Sequence, residues 1–552
     1  MKKTKNNSSL KWVAARTKSF WPSIILVSVL NIIVSLILVA MATASKYVID
    51  YGKAGNKEKL ILSAVCMFSL IVVQIIIDAI HSMLNVRIKG KLTISMRNYM
   101  FSSIVHKKYP KVFDHHSGDL LNRFTSDIDT TVSGAVGIIP SLCSMLTKII
   151  AGIWAIVIEN YLFAIAVVVV GFIFPTIGRQ ISKRFKYLHK EVSRTEGKSR
   201  AFLQESFANI VVIKTFVSEK PILNKLNTYM DENLKIRLKL NWISVTVHMM
   251  LFAFFTFGYY GIMVWGSTLL ATGLTFGTLN YFLQLVSILR APLQNVSSII
   301  PQYYSMLASA ERLIDLENIE DEPEQIEEKD LTQLKNDFKT INVDNLAFAY
   351  NDELILKNCT FNIHANSITA LTGESGSGKS TIFKMLLGLY EPSGGSITFN
   401  GEIPIDASTR DMFAYVPQGN MILSGTIRDN ITLCDNMVPD EKIEKAAKAA
   451  VIYDFIKTLP DGFDTVLSER GAGLSEGQIQ RISIARALLF DTPILLLDES
   501  TSALDETTET ELLSNIKNMT DKTVVFITHR STSISVCDHI IHVENKKFET
   551  VK

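Results

Sequence analysis

Cysteine is scarce in this chain: five in 552 residues, an odd number. No disulfide framework of the kind that staples small secreted modules is built from so few. Charge is also thin, at 20% of residues against 47% apolar, with a mean hydropathy of +0.22. A disordered chain needs the opposite balance. Fourteen prolines and 28 glycines exclude a collagen-like repeat. Acid is missing altogether from residues 1–20, which carry six Lys and Arg. Length excludes one ordinary domain, since about 150 residues per domain gives roughly three to four.

The net charge of +2 conceals a division. Residues 1–317 hold 35 Lys and Arg against 17 acids, giving +18, and residues 318–552 hold 21 against 37, giving −16. A basic half often signals nucleic acid. Here its charges alternate with long uncharged apolar runs, the pattern of a membrane protein with basic loops, so no nucleic-acid partner is expected. Crossing about 30 Å of hydrocarbon takes roughly 20 helical residues. Six stretches are long enough: 21–45, 59–83, 136–158, 161–181, 243–270 and 277–300. The first follows Lys2, Lys3 and Lys5 but is too long for a signal-peptide core, and five more spans follow it.

Two connections are long. Segment 86–133 has eight basic residues against four acids, and 179–239 has fourteen against six. With the six of the N-terminal tail they place the tail and both long segments in the cytoplasm. The loop 46–59, with Lys46, Lys53, Lys57 and Lys59, disagrees and is outvoted. An even number of spans returns the acidic half to the cytoplasm. The expected organisation is a tail over 1–20, a six-helix membrane domain over 21–316, an acidic linker over 317–340 and a second domain over 341–552. The long cytoplasmic segments read as helices that run on beyond the bilayer. Their turns, near 113–124 and 205–216, are expected to dock on that second domain, the first near Gln418.

The acidic half alternates short apolar strands with helical patterns, an α/β signature. After the strand-like run 367–371 come Gly373, Glu374, Ser375, Gly376, Ser377, Gly378, Lys379, Ser380 and Thr381, opening a helix. This is G-x-x-x-x-G-K-S between strand and helix, the phosphate loop. Backbone N–H groups curl around phosphates, Lys379 reaches the β- and γ-phosphates, and the Ser380 hydroxyl ligates Mg²⁺. Residues 494–499, Ile-Leu-Leu-Leu-Asp-Glu, are a buried-strand run ending in two acids. Asp498 is placed to hold Mg²⁺ and Glu499 to polarise the attacking water. Between them lie Leu474-Ser475-Glu476-Gly477-Gln478 and Ile479 through Ala487.

With that segment the whole chain resembles an ATP-binding cassette exporter half-transporter, six membrane helices fused to one P-loop ATPase cassette. The resemblance implies a multi-domain protein, an all-α polytopic membrane domain of exporter type plus an α/β cassette, that binds ATP with Mg²⁺. It implies that Tyr350 stacks on adenine and that Gln418 senses Mg²⁺ and the attacking water. Ser475, Gly477 and Gln478 would belong to the signature, where Ser475 and Gly477 meet the γ-phosphate held by a second subunit. Asp505 lies in the loop that crosses the dimer interface, and His529 contacts the γ-phosphate. Glu476 stands where the family's commonest signature has Gly, so a heterodimer remains an alternative to the homodimer. The implied activity is ATP-driven export of an amphipathic small molecule or peptide across a bacterial plasma membrane. Flipping of a lipid or lipid-linked sugar is the alternative. Inside the spans, Asp78, Lys148, His248 and Arg290 are costly to insert. Lys148 and Arg290 mark a candidate substrate path, with Asn280, Gln284 and Gln294 on the Arg290 span as added hydrogen-bonders; the alternative is that Asp78 or Glu159 neutralises a cation or that the long side chains snorkel.

Overall fold

The computed structural model describes the chain apart from residues 1, 115–116, 160–183, 185–186, 189–190, 271–272, 352, 420–421, 469–470, 472, 545–546 and 551–552. The span expected over 161–181 lies outside the described residues. The rest divides into two compact units, one of residues 1–102 and 118–317, the other of 103–117 and 318–552.

The first unit is helical. Its elements are α1 (Lys2–Arg16), α2 (Trp21–Lys53), α3 (Lys57–Val105), α4 (Ile128–Glu159), α5 (Glu219–Leu269) and α6 (Phe276–Glu317). The five other expected spans fall on α2 to α6. At 1.5 Å per residue, the 49 residues of α3 reach about 74 Å, far more than the ~30 Å of hydrocarbon. Helices α2, α4 and α6 pack around Ala42, Ile156, Phe282, Leu285 and Leu289. The most apolar window of α3 has none of its residues buried within the chain. Leu62, Phe68 and Ile75 on it are more than 60% exposed. Such a surface requires lipid or another chain against it. The N-terminal tail is folded rather than loose: Trp12 Nε1, Arg16 and the Tyr99 hydroxyl all donate to the Glu317 carboxylate at the end of α6.

The second unit contains α7 (Glu328–Asp337), β1 (Thr340–Tyr350), β2 (Glu353–His364), β3 (Ile368–Gly373), α8 (Lys379–Leu386), β4 (Gly394–Phe399), β5 (Ile403–Pro404) and β6 (Phe413–Val416). They are followed by α9 (Glu476–Leu489), β7 (Ile494–Asp498), α10 (Glu506–Lys517), β8 (Thr523–Ile527), β9 (His539–Glu544) and β10 (Lys547–Thr550). One sheet has the order β10-β9-β3-β8-β7-β6, parallel except for β10, and an antiparallel sheet has the order β2-β1-β4-β5. All five residues of β7 and of β8 are buried, as strands covered on both faces must be. The acidic stretch 317–340 is partly ordered: α7 lies within it and buries Leu334.

Residues 103–117 pack with this second unit, not with the helices on either side of them in sequence. Lys108 N donates to Glu320 O at 2.9 Å and Glu322 N to His106 O at 2.8 Å, so the segment pairs with the acidic stretch by backbone. Lys107, 7% exposed, pairs with Asp321 at 2.7 Å. Lys108 pairs with Glu320 and, at 2.8 Å, with Glu391. The Tyr109 ring meets Tyr390 edge-on at 5.8 Å. Of the segment expected to dock, residues 113–117 belong to this second unit, and the contacts run through its upstream neighbours Lys107, Lys108 and Tyr109, against 320–322 and Tyr390. Phe113 is 67% exposed, and residues from Gly118 onward belong to the helical unit. Buried Lys107 and half-buried Lys108, facing acids, carry the attachment.

Candidate active site

Strand register brings the sequence motifs to one edge. Leu371 of β3 lies opposite Ile527 of β8, and Ile527 opposite Asp498 of β7. Val416 of β6 lies opposite Leu497. The loops leaving these four strands therefore emerge together at the carboxyl ends of parallel strands, the ligand-binding edge of such sheets. They carry residues 373–381, Gln418, Glu499 and His529.

Gly373 begins the phosphate loop at φ +140°, and a Cβ there would lie 2.4 Å from the Val543 carbonyl oxygen. No other residue fits. Lys379, 5% exposed, points its ammonium into the loop, donating to Gly373 O at 2.8 Å and Glu374 O at 2.7 Å, with Ser377 Oγ at 3.4 Å. Burial lowers its pKa, and the Glu499 and Asp498 charges oppose that shift. The Ser380 hydroxyl donates to Asp498 Oδ1 at 3.2 Å, and the Tyr415 hydroxyl to Oδ2 at 3.4 Å. Burial raises the Asp498 pKa, Glu499 adds to this by repulsion, and the Ser380 bond resists it.

Glu499 closes the strand with φ +47°, an uncommon conformation for a residue with a side chain. Strain of this kind collects at functional sites. Its backbone N–H donates to Ile527 O at 3.0 Å. Gln418 Nε2 donates to Glu499 Oε2 at 2.6 Å, and His529 Nε2 lies 3.8 Å from Oε1. Lys379, Ser380, Asp498, Glu499, Gln418 and His529 thus form one connected cluster. A buried carboxylate beside a hydroxyl is an all-oxygen donor pair of the kind Mg²⁺ accepts when phosphates and water complete its shell. Ser380 and Asp498 fit that role.

The base-binding candidate Tyr350 stands edge-on to Phe348 at 4.8 Å and to Tyr390 at 5.2 Å. Burial pushes the Tyr390 phenol up to about 12. The signature residues form a separate group. Ser475 caps α9 in a reciprocal box with Gln478, whose N–H lies 3.3 Å from Ser475 Oγ while Ser475 N donates to Gln478 Oε1 at 2.8 Å. Gly477 must be bare because a Cβ would come within 2.8 Å of the Ala503 carbonyl oxygen. Asp505 caps α10, accepting from Thr508 N at 3.0 Å; the Thr507 and Thr508 bonds hold its carboxyl well below the usual range. Glu476 is exposed.

Two family models match, one described as "ABC transporter transmembrane region" over residues 24–293, the other as "ABC transporter" over 356–502. A "Probable ABC transporter ATP-binding/permease protein" of Haemophilus influenzae is 31% identical over 476 residues, covering 82% of this chain and 83% of the relative. The chain belongs to the ABC transporter family. An "ATP-dependent lipid A-core flippase" of Syntrophus aciditrophicus is 29% identical, covering 82% of this chain and 76% of that one. The fold is shared with a solved bacterial Atm1-family ABC exporter with ATP bound, at a TM-score of 0.80 and 23% identity, covering 96% of this chain and 94% of that chain. The protein is thus a multi-pass ABC half-transporter of exporter fold, with a helical membrane domain fused to an α/β cassette that binds ATP and couples its hydrolysis to export. ABC half-transporters function as dimers.

Four residues around the half-transporter's site are absent from the sequence-based set. Tyr415 contacts Asp498, and burial followed by the Asp498 charge raises its pKa. Tyr390 builds the aromatic corner beside Tyr350. Arg530 and Glu509 lock the loop before α10. Tyr415 lies three residues before Gln418 and Arg530 directly after His529, where adjacency is a usable signal. Tyr390 and Glu509 carry none, because only the fold brings them near.

Proposed function

We propose that two copies of this chain form a homodimer in a bacterial plasma membrane and, at two composite ATP·Mg²⁺ sites, drive an amphipathic small molecule or peptide out of the cytoplasm. Glu499 carries the reading: its carboxylate ends a buried strand one residue past Asp498, with Gln418 at 2.6 Å and His529 at 3.8 Å. In this reading Glu499 accepts the proton of the attacking water, and Gln418 fixes the carboxylate that does so. Lys379 holds the β- and γ-phosphates, Tyr350 the base, and His529 the γ-phosphate. Ser380 and Asp498, with Gln418 nearby, hold Mg²⁺, which when bound neutralises charge on the transferring phosphate. Ser475, Gly477 and Gln478, with Asp505, complete the site of the second copy. The unburied window of α3 supports a second chain or lipid at that face. The basic tail and long loops support a cytoplasmic N-terminus and cassette.

Residues 103–117 give this reading its coupling element. Tyr109→Ala removes an aromatic contact worth about 0.5–1.5 kcal/mol. Substrate-stimulated ATPase and transport are expected to fall roughly two- to tenfold while basal turnover persists. Wild-type transport in Tyr109→Ala vesicles would show that the contact transmits nothing.

The substrate path centres on Lys148 and Arg290. The Arg290 guanidinium lies over the Phe252 ring at 4.9 Å. Glu159 pairs with Lys46 at 2.6 Å. Gln284 and Asn280 both donate to Ser45 Oγ, at 2.9 and 3.1 Å. The side chains of His248 and Gln294 lie outside the described residues. A cation pair inside the spans favours a substrate bearing a carboxylate or phosphate. Kinship with lipid A-core flippases supports the second reading, a lipid or lipid-linked sugar. Lys148→Met and Arg290→Met are each expected to raise the half-maximal concentration of an acidic amphiphile by roughly tenfold, the loss of about one charge-assisted contact. Stimulated ATPase in proteoliposomes measures it, and an unchanged half-maximal concentration for every substrate removes both cations from the path.

A further inference from the structure

The loop of residues 502–505, between β7 and α10, is held by two side chains from different elements. One is Arg530, the residue after His529. Its Nη2 donates to Ser502 O at 2.7 Å, and its Nη1 to Leu504 O at 3.0 Å and to Glu509 Oε2 at 2.6 Å. Glu509 is 1% exposed and also accepts from Ser533 Oγ at 2.8 Å, so the guanidinium is anchored on a fixed carboxylate. The other is Gln480, on the signature helix α9. Its Nε2 donates to Ser502 Oγ at 3.2 Å, while Ala503 N donates to its Oε1 at 3.2 Å.

We infer that Arg530 is a positioning residue for ATP hydrolysis: through loop 502–505 and Gln480 it fixes the signature helix relative to His529 of the same chain. The inference rests on the composite-site reading, in which that helix completes the second copy's site. Two of the three Arg530 bonds go to loop carbonyls, which the planar fork reaches together and a lysine ammonium does not. A purely stabilising ion pair would need only the bond to Glu509. Displacing catalytic groups by about 1 Å costs roughly 10²-fold in rate, so a slack loop shows in turnover before it shows in binding.

The test uses the full-length transporter in proteoliposomes, with Arg530→Lys and Gln480→Leu made separately. Arg530→Lys keeps the charge opposite Glu509. Both variants are expected to lose roughly ten- to a hundredfold in kcat, with ATP affinity within about twofold and an unchanged melting temperature. Glu499→Gln in the same preparation is the inactive reference, so an error in the catalytic assignment shows as an active Glu499→Gln whatever Arg530 does. If Arg530→Lys fails to assemble, Gln480→Leu decides alone, because it slackens the same loop from the other element. Turnover within twofold of wild type in the folded variants overturns the inference.

Discussion

Glu499→Gln is expected to lower ATP turnover by roughly 10²- to 10⁴-fold, the usual cost of losing a general base, while ATP still binds. The amide keeps the shape of the carboxylate and its place beside Gln418, so the phosphate loop is undisturbed. What disappears is the acceptor for the proton of the attacking water. Among the described residues no other carboxylate sits both at the end of a buried strand and within 2.6 Å of Gln418 Nε2. The variant is therefore expected to accumulate with nucleotide trapped and uncleaved. Phosphate release measured beside bound nucleotide checks both halves. Near-normal phosphate release would remove Glu499 from its role.

Lys379→Ala is expected to fail one step earlier. In the structure the ammonium already satisfies the Gly373 and Glu374 carbonyl oxygens at 2.8 and 2.7 Å, so it holds the loop open as well as supplying charge. Each charge-assisted bond it makes to phosphate is worth about 1.5–3 kcal/mol. Two of them amount to roughly 10²- to 10⁴-fold in affinity. Titration calorimetry with ATP on the purified protein measures this directly. Glu499→Gln and Lys379→Ala then separate cleanly: the first binds without cleaving, the second does not bind. Equal affinity in Lys379→Ala and wild type would mean that the loop amides alone carry the phosphates.

The sequence made the phosphate loop legible because its chemistry is local. Seven residues from Gly373 to Lys379 need little beyond a strand before and a helix after. The acidic pair was legible for the same reason, since Asp498 and Glu499 end an apolar run that can only be a buried strand. The long helices were legible in their apolar stretches. Docking was not: Tyr109 meets Tyr390 across 281 positions of sequence, and no periodicity encodes such a pairing. The attachment uses Lys107 and Lys108 against acids, a pairing that only the fold reveals. Composition marked 317–340 as a charged tether, and α7 inside it buries Leu334 because a single apolar face suffices to hold a short helix. Glu509 stayed hidden because a glutamate in a polar helical pattern reads as solvated, yet it is 1% exposed.

The partners of segment 103–117 come late. Lys108 is made 283 residues before Glu391. At about 5–20 residues per second, the nascent chain waits roughly 15–55 s for that partner. Through that interval Lys107, which is almost fully buried in the folded protein, has no Asp321 to pair with. The cassette thus closes a loop laid down long before it. Chains stopped short of residue 320 carry that loop without its acidic strap, so the segment gains its ion pairs only once residues 320–321 follow.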